Sequence, residues 1–358
     1  MELQRPDLKQ VDPEVLAYIE ALEAELERLR QGSRSRSRSS VSTGEDDGIL
    51  AAITETEEPP TTQNLITATA SGTLKRTPRH LYHRQNRGGM GVFDLEVPRD
   101  EAPALLAVAD ESETLLAITS HARAYRLPVS ALPQSEVHDR GTSFAARFEL
   151  QHGETLAALL PIQAQGYLAM VSKRGYYRIL RHHVFGEHMK AGTSLYDLKT
   201  FGPLAAACWT PGDGDLFIAT RQGKGIRFAE KNLPPGGGLG IRLSDGDEAV
   251  AIAPVTEDSG VFLISASGKG AIRLMSGFSA NKSPGAAGKI ALNTDRLAAA
   301  AAVESGDDIF LISRLSKIIR FPAEQVPPKE GVVQGVICMS LRSDEVAALA
   351  VSPAYPRL

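Results

Sequence analysis

The chain has 358 residues, enough by length for about two average domains and a sizeable core. Apolar residues make up 42% and charged residues 23%, ordinary for a globular protein, and no run approaches the roughly 18 apolar residues that a membrane helix needs. The net charge of −4 hides an asymmetry: residues 1–60 hold 14 Asp and Glu against 7 Lys and Arg, whereas the remainder holds 29 against 32 and all eight histidines.

Taken in chain order, the opening MELQRPDLKQVDPE is polar and acidic, so it does not read as a secretory signal, and a cytoplasmic location is the expectation. Asp12-Pro13-Glu14 is a helix-start pattern, and Val15, Ile19, Leu22, Leu26 and Leu29 repeat at 4-3-4-3 spacing before Gly32. Residues 1–32 are therefore expected to carry a short amphipathic helix. It is too short to be a stable coiled coil alone, but suits docking or self-association. Residues 33–62 hold the Ser-Arg run with Arg34, Arg36 and Arg38, followed by acidic and Pro-rich stretches. They are expected to form a disordered linker, because such a composition cannot bury enough apolar surface.

Beyond it, a twelve-residue pattern of apolar strand, turn and terminal arginine occurs six times. The copies are LITATASGTLKR, LLAITSHARAYR, YLAMVSKRGYYR, LFIATRQGKGIR, FLISASGKGAIR and IFLISRLSKIIR, ending at Arg76, Arg126, Arg178, Arg227, Arg273 and Arg320. Each reads as a β-hairpin. A glycine-containing loop follows each arginine, and then a second apolar strand that is usually preceded by acids. Four short strands per period predict an all-β, six-bladed propeller or pinwheel over residues 63–353. The expected blades are 63–113, 114–165, 166–214, 215–259, 260–307 and 308–353, so the β domain is one, not two.

In five copies both neighbours of the terminal arginine are apolar, so strand alternation sends the arginine to the face opposite the core. Further bases cluster with it: Lys75, Arg84 and Arg87 in the first copy, Lys173, Arg174 and Arg181 in the third, and Lys224, Lys269 and Lys317 in the last three. The expectation is a basic rim, with an acidic side formed by the acids that precede the closing strands.

These repeats resemble the C-terminal domain of the DNA gyrase A protein. The sharpest element is Gln85-Asn86-Arg87-Gly88-Gly89-Met90-Gly91, similar to the family's gyrase box of Gln, basic, Arg, Gly, Gly, basic, Gly. Gln85, Arg87 and the three glycines match, whereas Asn86 and Met90 replace two bases. The resemblance implies a six-bladed β-pinwheel that binds and wraps duplex DNA through non-sequence-specific phosphate contacts. The residues expected to meet DNA are the box residues with Arg84, together with Lys75, Lys173, Arg174, Arg181, Lys224, Lys269, Lys317 and the six terminal arginines. A topoisomerase subunit is the further partner it implies, and a protein-interaction scaffold on the same fold is the alternative.

No cofactor is expected. There is no GxxxxGK[ST] phosphate loop, and the glycine run Gly236-Gly237-Gly238-Leu239-Gly240 lies between strands with no helix start behind it. Tyr18 sits mid-helix, so no cleavage tyrosine is expected either, and the chain reads as non-catalytic. Two cysteines 130 residues apart, Cys208 and Cys338, exclude a disulfide scaffold and a cysteine-based zinc site and read as buried thiols. His182, His183 and His188 read as DNA-facing or solvated rather than as metal ligands. Trp209 reads as core, and aromatics at 6% argue against a core of stacked rings.

Overall fold

Every repeat folds as the hairpin that its pattern predicts. In a computed structural model, which describes residues 58–98, 101–231, 233–234, 236–281 and 283–353, Gln63–Thr69 pairs with Thr73–Pro78 and Thr114–Thr119 with Arg123–Pro128. Tyr167–Ser172 likewise pairs with Tyr176–Arg181 and Asp215–Thr220 with Lys224–Ala229. Gly260–Ser265 with Lys269–Leu274 and Asp308–Ser313 with Lys317–Pro322 complete the set. The expected N-terminal helix and most of the expected linker lie outside the described residues.

The acid-led apolar strand of each repeat joins its own hairpin on the inside. These inner strands are Pro103–Asp110, Leu156–Pro161, Leu204–Thr210, Ala249–Val255, Leu297–Val303 and Val346–Ser352. They are rich in alanine and surround an axial cavity of about 530 Å³ whose lining includes Leu105, Ala157, Ala206, Ile252, Ala299 and Ala348. Small side chains are what six converging strands leave room for.

The fourth strand of each blade does not come from its own repeat. Thr142–Ser143, from the second repeat, pairs with the first blade's hairpin, and Thr193–Ser194 from the third repeat pairs with the second blade. Gly238–Leu239, Lys289–Ile290 and Val336–Ile337 continue the exchange. The circle closes when Val92–Phe93, from the first repeat, pairs with Lys317 and Ile318 of the sixth blade. The repeat boundaries read from the sequence therefore do not enclose whole blades. A glycine precedes each outer strand because the backbone there runs close against the preceding blade. At Gly91, with φ +72°, an added Cβ would lie 2.4 Å from the Ile318 carbonyl oxygen.

Apolar clusters fill the seams between blades, one per seam among the described residues. Ile66, Leu115 and Phe148 lie in the first seam, and Leu65, Leu106, Phe310 and Ile312 lie in the seam that joins the sixth blade to the first. Each cluster contains at least one aromatic pair, such as Tyr82–Phe310 at 5.9 Å, Tyr125–Phe148 at 5.6 Å and Phe217–Phe278 at 5.3 Å. The few rings are thus spent seam by seam, mostly edge to face, rather than stacked in one core. Trp209 is buried against Phe185, and its Nε1 donates to the Pro161 carbonyl at 2.7 Å. Cys338 is buried and Cys208 half-buried.

Candidate nucleic-acid interface

Strand alternation does place the six terminal arginines opposite their apolar neighbours, but an adjoining blade covers the face they occupy: the next blade for Arg76, Arg126, Arg227 and Arg320, and the preceding blade for Arg178 and Arg273, which pair with Met170 and Val261. Arg76, Arg227, Arg273 and Arg320 are buried, and Arg126 and Arg178 are half-buried. Arg76 donates to the Val129 and Leu132 carbonyls of the second blade at 3.4 Å each, and Arg126 donates to the Phe185 carbonyl of the third. Arg227 reaches the Met275 carbonyl at 2.8 Å in the fifth blade. Arg320 of the sixth blade reaches the Arg79 and Tyr82 carbonyls of the first at 3.2 and 3.0 Å. Carboxylates neutralise several of these cations: Asp215 lies 2.6 Å from Arg227, and Asp308 lies 2.5 Å from Arg320. Their expected place on a rim open to DNA is corrected. Arg76, Arg126, Arg227 and Arg320 are staples between blades, because radial packing covers both faces of every sheet.

Arg273 departs from this pattern. Gly260 stands where the fourth and sixth hairpins have Asp215 and Asp308, and the Arg273 guanidinium lies over the Phe278 ring at 5.6 Å. Burial lowers its pKa. A cation–aromatic contact substitutes in part for the missing carboxylate.

Lys75 is likewise interior, at 1% exposure. Its Nζ donates to Asp94 Oδ1 at 2.6 Å and to the Asp94 carbonyl at 2.9 Å, and burial lowers its pKa despite the charge of Asp94. Tyr82 Oη donates to the same Oδ1 at 2.6 Å and Thr67 Oγ1 donates to Oδ2 at 2.8 Å. Sequence reasoning missed Asp94. Its signal was its position as the first acid after the acid-free stretch from Leu74 to Gly91.

The box-like loop lies at the seam of blades 1 and 6. The Gln85 amide donates to the Arg320 carbonyl and the Gly88 amide to the Cys338 carbonyl, each at 2.7 Å. Arg87 turns inward: its Nε donates to the Gln325 carbonyl at 2.7 Å and its Nη1 to the Ile337 carbonyl at 3.1 Å. Asn86 accepts from Gln325 Nε2 at 3.1 Å. The expectation that Arg87 reaches out to a phosphate is corrected to a clasp on the sixth repeat, at Gln325 of the sixth blade and at Ile337 in the outer strand of the fifth. Among the box glycines, Gly91 fills the position that precedes every outer strand, and Gly88 has a counterpart in Gly285 of the fifth repeat, with the same positive φ and its amide likewise donating to the residue after a neighbouring outer strand. Glu58, in the stretch expected as linker, is fastened to the same seam, 2.5 Å from both Arg79 and Arg320. Burial works to raise its pKa, but the two arginines outweigh this and lower it.

The remaining expected bases do face outward. Arg84, Lys173, Arg174, Arg181, Lys269 and Lys317 are exposed and Lys224 is half-exposed. Some are paired: Arg84 lies 3.0 Å from Asp308 and Lys173 lies 3.6 Å from Glu248, while Arg181 covers the Tyr167 ring at 5.9 Å. Acids before the inner strands meet bases directly, as in Arg123–Glu154 and Arg296–Glu345, both at 2.6 Å. The expected separation into a basic and an acidic side is therefore not clean. His182 and His183 meet edge to face at 6.1 Å, with His182 Nδ1 3.3 Å from the Gly166 carbonyl oxygen.

The surface bases recur at one register. The first residue of the second hairpin strand is Lys224, Lys269 and Lys317 in blades 4, 5 and 6, where blades 1 to 3 have Thr73, Arg123 and Tyr176. Each sits directly beside the outer strand at the perimeter.

The DNA gyrase C-terminal domain, beta-propeller, family model matches residues 63–101, 113–135, 214–256 and 307–352. The chain is 24% identical over 372 residues to the DNA gyrase A protein of Staphylococcus epidermidis, covering 95% of this chain and 41% of that protein. It is 27% identical over 308 residues to the DNA gyrase A protein of Haloquadratum walsbyi, covering 81% and 36%. The chain thus spans about two fifths of the length of these relatives. A solved gyrase A C-terminal domain superposes with a TM-score of 0.72 at 20% identity, covering 81% of this chain and all of that one.

Proposed function

From the match of four stretches of the chain to the DNA gyrase C-terminal domain family model, we propose that its β domain is a non-catalytic DNA-binding module that bends or wraps duplex along its perimeter. In this reading the contacts go to phosphates and are independent of sequence, and the module contributes them to a topoisomerase. The observation that carries the proposal is the recurrence of lysine at one perimeter register in three consecutive blades, with Lys269 and Lys317 exposed and Lys224 half-exposed. A structural staple has no need of that exposure, since the buried arginines already hold the seams.

Each neutralised phosphate adds about 0.9 to the slope of log K against log salt, so these three lysines alone give a slope of about −2.7. Binding of a duplex of defined length, titrated across salt, tests the reading. A slope at least that steep supports it, and absence of binding even at low salt refutes it. The scaffold alternative draws on a specific observation of its own: Phe93, Ile290 and Ile337 are large apolar residues left exposed. It gains if the salt titration fails.

A further inference from the structure

In every blade the first residue of the second hairpin strand stands directly opposite the second residue of the outer strand. Going round the ring, these pairs are Thr73–Ser143, Arg123–Ser194, Tyr176–Leu239, Lys224–Ile290, Lys269–Ile337 and Lys317–Phe93. Directly opposed residues of antiparallel strands project to the same side of the sheet. Blades 1 and 2 therefore present Ser beside Thr or Arg, and that Arg123 is held 2.6 Å from Glu154. Blades 4 to 6 each present a lysine side by side with a large apolar side chain, and Ile290, Ile337 and Phe93 are 49%, 53% and 39% exposed. Of the other exposed large apolar residues among those described, Val92 lies in the outer strand of the sixth blade, Met90 and Val332 lie in the loops that lead into the outer strands of blades 6 and 5, and Leu315 lies in the sixth hairpin's turn.

Exposed apolar area is unfavourable by roughly 25 cal/mol per Å² and tends to persist where something covers it. Lysine is depleted in protein–protein interfaces, so a lysine at each step speaks against a protein as the cover. It suits a polyanion. Proteins that bend duplex combine phosphate-binding bases with Phe, Ile or Leu entering the minor groove, where the apolar side chain loosens a base step.

We infer, on the DNA-binding reading above, that the duplex lies along the perimeter of blades 4 to 6 and not around the whole ring. Lys224, Lys269 and Lys317 take phosphates, while Ile290, Ile337 and Phe93 enter the minor groove. The arc ends at the seam with blade 1, where the loop from Gln85 to Gly91 clasps the sixth blade.

Three variants of the full chain test this. One carries Lys224→Thr, Lys269→Thr and Lys317→Thr. A second carries Ile290→Ser, Ile337→Ser and Phe93→Ser, which give these blades the residue that blades 1 and 2 already carry at Ser143 and Ser194. The third carries Arg147→Thr, Lys190→Thr and Lys199→Thr, exposed bases of the second and third repeats. Circular dichroism confirms folding in each case. The lysine variant is expected to flatten the salt slope by about 2.7. The serine variant is expected to weaken binding at every salt concentration without changing the slope, and to reduce the bend read by end-to-end fluorescence transfer. The third variant is expected to keep the parent slope. Equal flattening by the first and third variants overturns the arc while leaving DNA binding intact. An unchanged affinity and bend in the serine variant overturns the groove contact. A parent chain that binds no duplex removes the reading on which the inference rests.

Discussion

Replacing Arg320 by alanine separates a staple from a DNA contact. The Arg320 side chain is 3% exposed, and its guanidinium meets Asp308 at 2.5 Å, Glu58 at 2.5 Å and the Tyr82 carbonyl at 3.0 Å. Removing one partner of a buried ion pair leaves the other charge without compensation and costs about 3–5 kcal/mol. Here Asp308 and Glu58 are left with only Arg84 and Arg79, two carbonyls lose the guanidinium, and the seam that closes the ring is the one affected. With a urea dependence of about 1–3 kcal/mol per molar, the unfolding midpoint should fall by a molar or more. Arg126 serves as the internal comparison. It is half-buried and donates to the single carbonyl of Phe185, so Arg126→Ala should cost only about 1.5–3 kcal/mol. Hydrogen exchange should rise around Arg79–Leu81 in the Arg320 variant, since the carbonyls at that turn lose their donor. A midpoint that barely moves, together with a DNA salt slope flatter by about 0.9, would refute the staple and return Arg320 to the perimeter.

Burial favours the neutral form of Glu154, but hydrogen bonds from Arg123, Thr119 and the Gln151 amide outweigh it and lower its pKa to about 2. A depressed carboxylate pKa contributes stability above the unfolded value, so this component should fade as pH falls from about 4.5 towards 2. Glu154→Gln should flatten the urea midpoint against pH in that window, and an unchanged profile would show that the carboxylate is not the group responsible. Gly91→Ala should destabilise by more than the roughly 1–2 kcal/mol of a left-handed residue, because its Cβ would meet the Ile318 carbonyl. Gly246→Ala, at φ +72° with open space around it, should carry only the conformational part, and equal losses in the two would refute the close approach. Asn86→Arg with Met90→Lys adds two cations at exposed positions and should steepen the salt slope by up to about 1.8; no change would place the loop away from the duplex.

The period, the hairpins and the glycine ahead of each outer strand were legible in the sequence because each is repeated six times with strong local chemistry. The exchange of outer strands was not. A strand of two residues, such as Thr142–Ser143 or Val92–Phe93, carries no periodicity, and its partner is a whole repeat away. The seam network around Asp94 was hidden for a related reason. Its partners Lys75, Tyr82 and Thr67 lie 12 to 27 residues upstream, and only the path of the outer strand brings the carboxylate back to them. Alternation placed the arginines on the right face, yet alternation describes one sheet and says nothing about what covers that face.

Repetition itself distinguishes staple from surface. The acids that precede the inner strands recur blade after blade, and Glu154, Glu248 and Glu345 each pair with a base. Four of the terminal arginines, Arg76, Arg126, Arg227 and Arg320, recur at one strand position, and the same reasoning puts them in the seams, since a ring must be fastened whatever it binds. A ligand that follows a path imposes no such uniformity, because it meets some blades and passes others. The informative positions are then those where the sixfold pattern breaks. Thr73, Arg123 and Tyr176 give way to three lysines, and two serines at the outer strands give way to isoleucine and phenylalanine. Gly89 lies in the loop at the seam where that lysine-bearing arc ends. A stabilising role would have been shared among all six blades; these residues are confined to half the ring, on the surface, where contact with a partner determines which residues stand there.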